Sequence, residues 1–138
     1  MKGLLLDTNI LSEITKREPE PRAVAFLQRA EIVFISVVTL HELHFGLMRL
    51  PEGRRRTELS EQVESLISNF ESSILKVSQP EAIRSADLRA QAQSSGHTLH
   101  LADSLIAATA IEHGLTLVTR NVSDFEGIGL SIINPWQT

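Results

Sequence analysis

Short leucine-rich or β-branched runs alternate with helical segments along the whole chain, and this alternation narrows the possible folds more than any other feature. "GLLLD" and "IVFISVV" read as strands. Between them, Asn9 to Lys16 reads as a helix, and so does "RAVAFLQRA" after the Pro19/Pro21 break. "TLHELHFGLMRL" carries Leu40, Leu43, Leu47 and Leu50 on one helical stripe. Past the Pro51–Gly53 connection, "TELSEQVESLISNF" continues as a helix and "SILKV" as a short strand. "SQPEAIRSADLRAQAQSSG" is a helix opened by Ser78 and Pro80 and closed near Gly96; "LADSLIAATAIEHG" is another, apolar nearly all round and ended by Gly114. "LTLVT" and "LSIIN" complete the strands. Strands joined by helical crossovers predict an α/β fold of three α/β/α layers, with a mostly parallel central sheet and helices on both faces.

At 138 residues and 42% hydrophobic content the chain is expected to form one domain, 1–138, with a substantial core. No cysteine is present, which excludes disulfides and Cys-based zinc sites and makes the cytoplasm the expected compartment. The apolar stretch before Asp7 is too short for a signal peptide. No segment nears the roughly 20 apolar residues that span a bilayer, so an unprocessed protein without a membrane role is expected.

The formal net charge of −4 argues against a uniformly basic nucleic-acid-binding surface. It leaves a metal-dependent nuclease open, because acids that hold a divalent cation present a positive centre to phosphate. Basic residues are concentrated in Lys16-Arg17 and in Arg54-Arg55-Arg56, the latter placed by the sequence in a helix-to-helix connection. Such a run reads either as solvated surface or as a contact to RNA phosphates.

The acids carry more information. In a parallel sheet the C-terminal ends of the strands share one edge, and the helices that follow them begin there. Asp7 ends the first strand, Glu42 lies in the first turn of the helix after the second strand, Asp103 lies in the first turn of the helix before "LTLVT", and Asp124 follows that strand by a few residues. All four are expected on one rim. Each has an ordinary explanation as well. Asp7, Thr8 and Asn9 can cap a helix, Thr39-x-x-Glu42 matches a capping box, Asp103 suits a helix dipole, and Ser123-Asp124 is a common turn signal.

Asp103 separates these explanations. Its helix is so apolar that its N-terminal end is expected to be well covered, and burying an unpaired carboxylate costs several kcal/mol against a dipole gain of roughly 0.3–1 kcal/mol. No Lys or Arg stands near it in sequence. Three or four carboxylates on one rim would raise one another's pKa unless a cation sat between them. Oxygen-only donors suit Mg²⁺ or Mn²⁺, and the chemistry such an ion supports with a phosphate ester is hydrolysis.

With these residues in view, "LLLDTNILSE", "ISVVTLHELHFGL", "LADSLIAATAIEHGLTLVTRNVSDF" and the closing "INPW" resemble the PIN-domain nucleases, in particular the VapC/FitB-like toxins of toxin–antitoxin pairs. The resemblance implies a PIN-like fold and a Mg²⁺- or Mn²⁺-dependent endoribonuclease. It further implies a cognate antitoxin that holds the enzyme inactive, RNA as substrate, and a homodimer within a larger toxin–antitoxin assembly. Asp7, Glu42 and Asp103 match the family's acidic triad and Asp124 its fourth acid. Thr8 and Asn9 of "DTN", with Thr119 and Asn121 of "TRN", match polar residues that orient the acids or the metal's waters. His41, His44 and His100 depart from the family's pattern.

Other chemistries fit less well. His41-x-x-His44 and His97-x-x-His100 could each place two zinc ligands on one helical face, but Glu42 points about 100° from His41, and "HELH" is one residue short of the H-E-x-x-H spacing. A phosphoacceptor domain would need a lysine at a later strand end. A haloacid-dehalogenase-like phosphatase would need D-x-D, where this chain has Asn9. A metal-dependent phosphatase of another kind, or a PIN-like binding module with weak catalysis, is the remaining alternative.

Overall fold

A computed structural model describes residues 3–137. Five short strands, β1 (Leu4–Leu6), β2 (Val33–Ser36), β3 (Ile74–Leu75), β4 (Thr116–Val118) and β5 (Ile132–Ile133), form one sheet in the order β3-β2-β1-β4-β5. Every pairing is parallel. The chain moves outward from β1 through β2 to β3, then returns to the other side of β1 for β4 and β5. The strand order therefore reverses between β1 and β4, and a crevice opens at their C-terminal ends.

The strand alternation assigns the two layers. Leu5 and Leu117, paired across β1 and β4, both face a core formed with Leu88, Ala92, Leu99, Ile106, Ala107 and Phe125. This layer is carried by α5 (Gln79–Ser94) and α6 (Leu101–Glu112). Their neighbours Leu6 and Val118, also paired, face the opposite core with Ile10, Leu11, Ile35, Leu43, Leu47 and Val63. That layer is built by α1 (Thr8–Ile14), α3 (Val37–Met48) and α4 (Arg54–Ser68), with α2 (Pro21–Arg29) adding Phe26 and Leu27 at its edge. Trp136 closes the same side. Among the described residues no helix is long and apolar enough to cross a membrane.

Helix ends follow local chemistry. Ser78 and Glu81 form the capping box that starts α5. Gly114, at φ 64°, ends α6 in a Schellman turn: Leu115 N–H donates to the Ala110 carbonyl at 2.8 Å and Gly114 N–H to that of Ile111 at 3.2 Å. Pro21 is the first residue of α2 rather than part of a break, a position where its missing N–H costs nothing.

Three boundaries differ from the sequence reading. β2 stops at Ser36, and the β-branched Val37 and Val38 open α3 instead of prolonging the strand. Ser36 is the N-cap, its Oγ accepting the Val38 N–H at 3.0 Å, so Thr39 is not the cap and the Thr39/Glu42 capping box does not form. Leu50 falls just beyond α3, although Leu43 and Leu47 are buried as the stripe required. Arg54, Arg55 and Arg56 make the first turn of α4 rather than a connection.

Ser36→Ala is expected to lower the unfolding free energy by about 1 kcal/mol, as loss of an N-cap does. Urea denaturation measures it; unchanged stability would return the start of α3 to Thr39.

Candidate active site

The crevice between β1 and β4 is built from the residues that follow those two strands. Asp7 ends β1 and N-caps α1, its Oδ1 accepting the Thr8 N–H at 2.8 Å. Its Oδ2 accepts the Thr119 hydroxyl at 2.8 Å, just past β4, and the Asn9 side-chain amide at 3.2 Å. Asn9 ties the two strand ends further: the same amide reaches Thr119 Oγ1 at 3.2 Å, and its Oδ1 accepts the Arg120 N–H at 3.2 Å. Asn121 enters through its backbone N–H, which donates to Thr119 Oγ1 at 3.1 Å. "DTN" and "TRN" thus form one hydrogen-bonded unit across 112 residues of sequence.

Glu42 approaches from α3. With the helix starting at Val37, it lies in the second turn, one turn later than the sequence indicated. Its Oε1 accepts the Thr8 hydroxyl at 2.5 Å, and the buried Thr39 hydroxyl stands 3.1 Å from that of Thr8. Thr39, expected from the sequence as a cap, is instead a buried neighbour of the Thr8 hydroxyl that bonds Glu42; the signal it offered was a polar residue one turn before an acid on the inward side of an apolar helix.

Asp103 lies in the first turn of α6, and Asp124 in a 3₁₀ turn, Val122–Phe125, after β4. Asp103 is half-buried. Its helix end is less covered than its composition suggested, because Leu101 is 57% exposed and the apolar packing begins at Ser104. His41 and His44 lie on the exposed side of α3, where His41 stacks with Phe45.

The electrostatics bind the four acids together. Burial raises the pKa of Asp7, overcoming the hydrogen bonds from Thr119, Thr8 and Asn9 that lower it, while the charge of Glu42 raises it further. Asp103 is raised to about 6, first by desolvation, then by the charges of Asp7, Asp124 and Glu42, with His100 acting the other way. Among the described residues no Lys or Arg forms an ion pair with any of the four. Nor, among those residues, do three Asp, Glu or His side chains converge tightly enough to form a ready-made metal cage. The rim is a set of mutually repelling oxygen donors with which, among the described residues, no Lys or Arg pairs, a donor chemistry that fits a hard divalent cation.

The basic patches also meet. Lys16, Arg17, Arg54 and Arg55 line one open groove of about 1360 Å³ between the C-terminal end of α1 and α4. Arg56 turns to the Met48 sulfur, 3.1 Å away, outside that groove.

An acid-rimmed crevice at the strand-order reversal of a parallel α/β sheet defines the class of molecule. The PIN domain profile matches residues 4–128, and the chain belongs to the PIN-domain family. It is 42% identical to a protein named VapC ribonuclease Y4jK from Sinorhizobium fredii over 137 residues, 97% of this chain and 98% of the relative. It is 37% identical to Toxin FitB from Neisseria gonorrhoeae over 136 residues, 96% and 98% of the two chains. The crystal structure of FitAcB from Neisseria gonorrhoeae superimposes with a TM-score of 0.90 at 36% identity, covering 98% of this chain and 99% of that one.

The raised acids make a stability prediction with a definite sign. A carboxyl group whose pKa is higher folded than unfolded binds more protons in the folded state, so stability falls as pH rises from about 4 through about 6 and stays reduced above. In EDTA-treated protein, Asp103→Asn should therefore add about 1–3 kcal/mol at pH 7.5 and little at pH 4. Thermal unfolding at the two pH values checks this; an equal effect at both would remove the electrostatic cause.

Proposed function

We propose that this protein is an endoribonuclease, the toxin of a toxin–antitoxin pair, and that it depends on Mg²⁺ or Mn²⁺. One observation carries the reading: four carboxylates lie in one another's fields at the crevice, with no Lys or Arg paired to them among the described residues. Selection for stability alone would have replaced or paired such acids. The names of relatives that align over nearly the whole chain, a VapC ribonuclease and a toxin, point the same way.

Asp7, Glu42 and Asp103 would hold the ion, with Asp124 at the outer edge. Bound there, the ion would polarise the scissile phosphate and lower the pKa of the attacking water. The chain's own residues do the rest. Thr119, Asn9 and the Thr8 N–H fix both oxygens of Asp7, and the Thr8 hydroxyl fixes Glu42 from the first turn of α1. Any change in the angle between α1 and α3 would separate the two acids. Burial of Asp7 excludes bulk water from the floor of the crevice.

Arg54 and Arg55 are proposed to position RNA phosphates together with Arg17, in the groove that opens beyond the C-terminal end of α1, the helix that Asp7 caps; Arg56 stands beside them as a weaker contact. A free ribonuclease would damage its own cytoplasm, so the reading includes a cognate antitoxin that covers the rim and offers it a cationic side chain. Two copies of this chain are proposed to form the toxin half of that assembly. The unit 1–138 is read as a single domain.

Asp7→Asn should abolish cleavage of purified RNA while preserving the far-ultraviolet circular dichroism spectrum, and EDTA should silence the parent protein until Mg²⁺ or Mn²⁺ is restored. Full activity in EDTA would sink the mechanism. Alanine at Arg54 and Arg55 should reduce the slope of log affinity against log salt by roughly 0.7 per lost contact on single strands, with little effect on turnover at saturation. An unchanged slope would return the groove to ordinary surface or to antitoxin contact.

A further inference from the structure

Beside the acid rim lies a smaller cleft of about 220 Å³ that shares Asp124 with it and is otherwise unused by the cleavage chemistry. It opens between the end of α5, the loop that leads to α6, and the 3₁₀ turn that carries Asp124. Ala92, Leu99 and Ile128 supply an apolar floor, the first two buried. Gln91, His97, Thr98 and Glu126 stand around it, and Asp124 belongs to both the cleft and the rim. Drug-sized ligands occupy pockets of roughly 300–1,000 Å³, so this one suits a single planar ring system.

The wall is held in place by the backbone. Gly96, at φ 81°, ends α5 in a Schellman turn in which His97 N–H donates to the Ala92 carbonyl at 2.8 Å and Gly96 N–H to that of Gln93 at 3.1 Å. This turn fixes His97 beside the floor residue Ala92. Among the described residues, the side chains of Gln91, His97, Thr98, Asp124 and Glu126 make no hydrogen bond within the protein, so their donors and acceptors are available to a ligand.

We propose that this cleft is a nucleobase pocket that selects guanine in the RNA strand next to the scissile phosphate. The assignment deepens the ribonuclease reading and rests on it for the path of the strand. Two carboxylates repel phosphate and admit a neutral group that donates hydrogen bonds. RNA is read in this way, by unstacked bases placed on aromatic side chains and bonded along their Watson–Crick edges. Guanine presents two adjacent donors, N1–H and the N2 amino group, that match the two oxygens of one carboxylate. Its O6 can accept from Gln91 or Thr98, and its ring can lie between His97 and the apolar floor. Uracil has a single ring N–H flanked by carbonyl oxygens, which a carboxylate disfavours. Adenine and cytosine each place an acceptor nitrogen beside their amino group.

The test uses the full chain, treated with EDTA, and the four free nucleosides followed by NMR at the His97 imidazole. Guanosine should shift the His97 resonances with an affinity at least tenfold above uridine. Glu126→Gln should lower guanosine affinity about tenfold, and Ala92→Leu, which fills the floor, should abolish the shift. On RNA, both variants should lose the preference for guanine beside the cut while retaining the parent's rate on guanine-free substrate. Equal response to all four nucleosides, none from any, or a response only to free arginine would overturn the proposal, the last by assigning the cleft to a protein partner. A guanosine shift at His97 in a chain that cleaves no RNA would leave the pocket standing and the nuclease reading fallen.

Discussion

Burial of the Asp7 carboxylate where the strand order reverses is the constraint around which the rest of this fold is arranged. A charge placed there needs donors from both sides of the crevice, and they come from residues that only a parallel pairing of β1 with β4 can bring together: Thr8 and Asn9 from one strand end, Thr119 from the other. The register of Leu6 with Val118 sets the two strand ends level. A slip of one residue would turn Leu5 and Leu117 away from the α5/α6 core and withdraw Thr119 from Asp7 together. Packing and site geometry are therefore enforced by the same pairing.

Even with three donors, Asp7 titrates high because desolvation outweighs them, and Asp103 is raised by the same cause reinforced by three neighbouring acids. The rim therefore costs the isolated chain stability at neutral pH. Acids elsewhere in the chain show the alternative: Glu81 at the start of α5 is bonded by its own N-cap Ser78, and Glu13 near the end of α1 is paired with Lys16. Asp103 has no such bonded partner among the described residues, and its pKa is raised instead.

Much of this is legible in the sequence. The strand–helix alternation carried the parallel sheet, and the position of each acid relative to a strand end carried the common rim. What failed to show were boundaries governed by tertiary context. Val37 and Val38 have the β-branched profile of a strand, yet Ser36 caps the helix they open, because the buried cap and the packing of Leu43 and Leu47 outweigh a weak local preference. The joining of Lys16-Arg17 with Arg54-Arg55 could not be read either, since it depends on how α4 lies against α1. The Asn9 bridge spans more than a hundred residues and has no local signature beyond its motif.

The separation of charge on the surface joins these features to a mode of regulation. On the proposed reading, a polyanion drawn to the basic groove would meet a repulsive rim at Asp7, Glu42 and Asp103 unless a cation lay there, so occupancy of the rim by an ion and approach of a phosphate would favour each other. Any partner that places its own cationic group among the same acids competes with the ion and, by reciprocity, weakens RNA binding by the same factor by which RNA weakens the partner. On the proposed reading inhibition would need no change of fold: the same mutually repelling field that would favour a divalent ion at the rim would also favour a cationic group of a partner there.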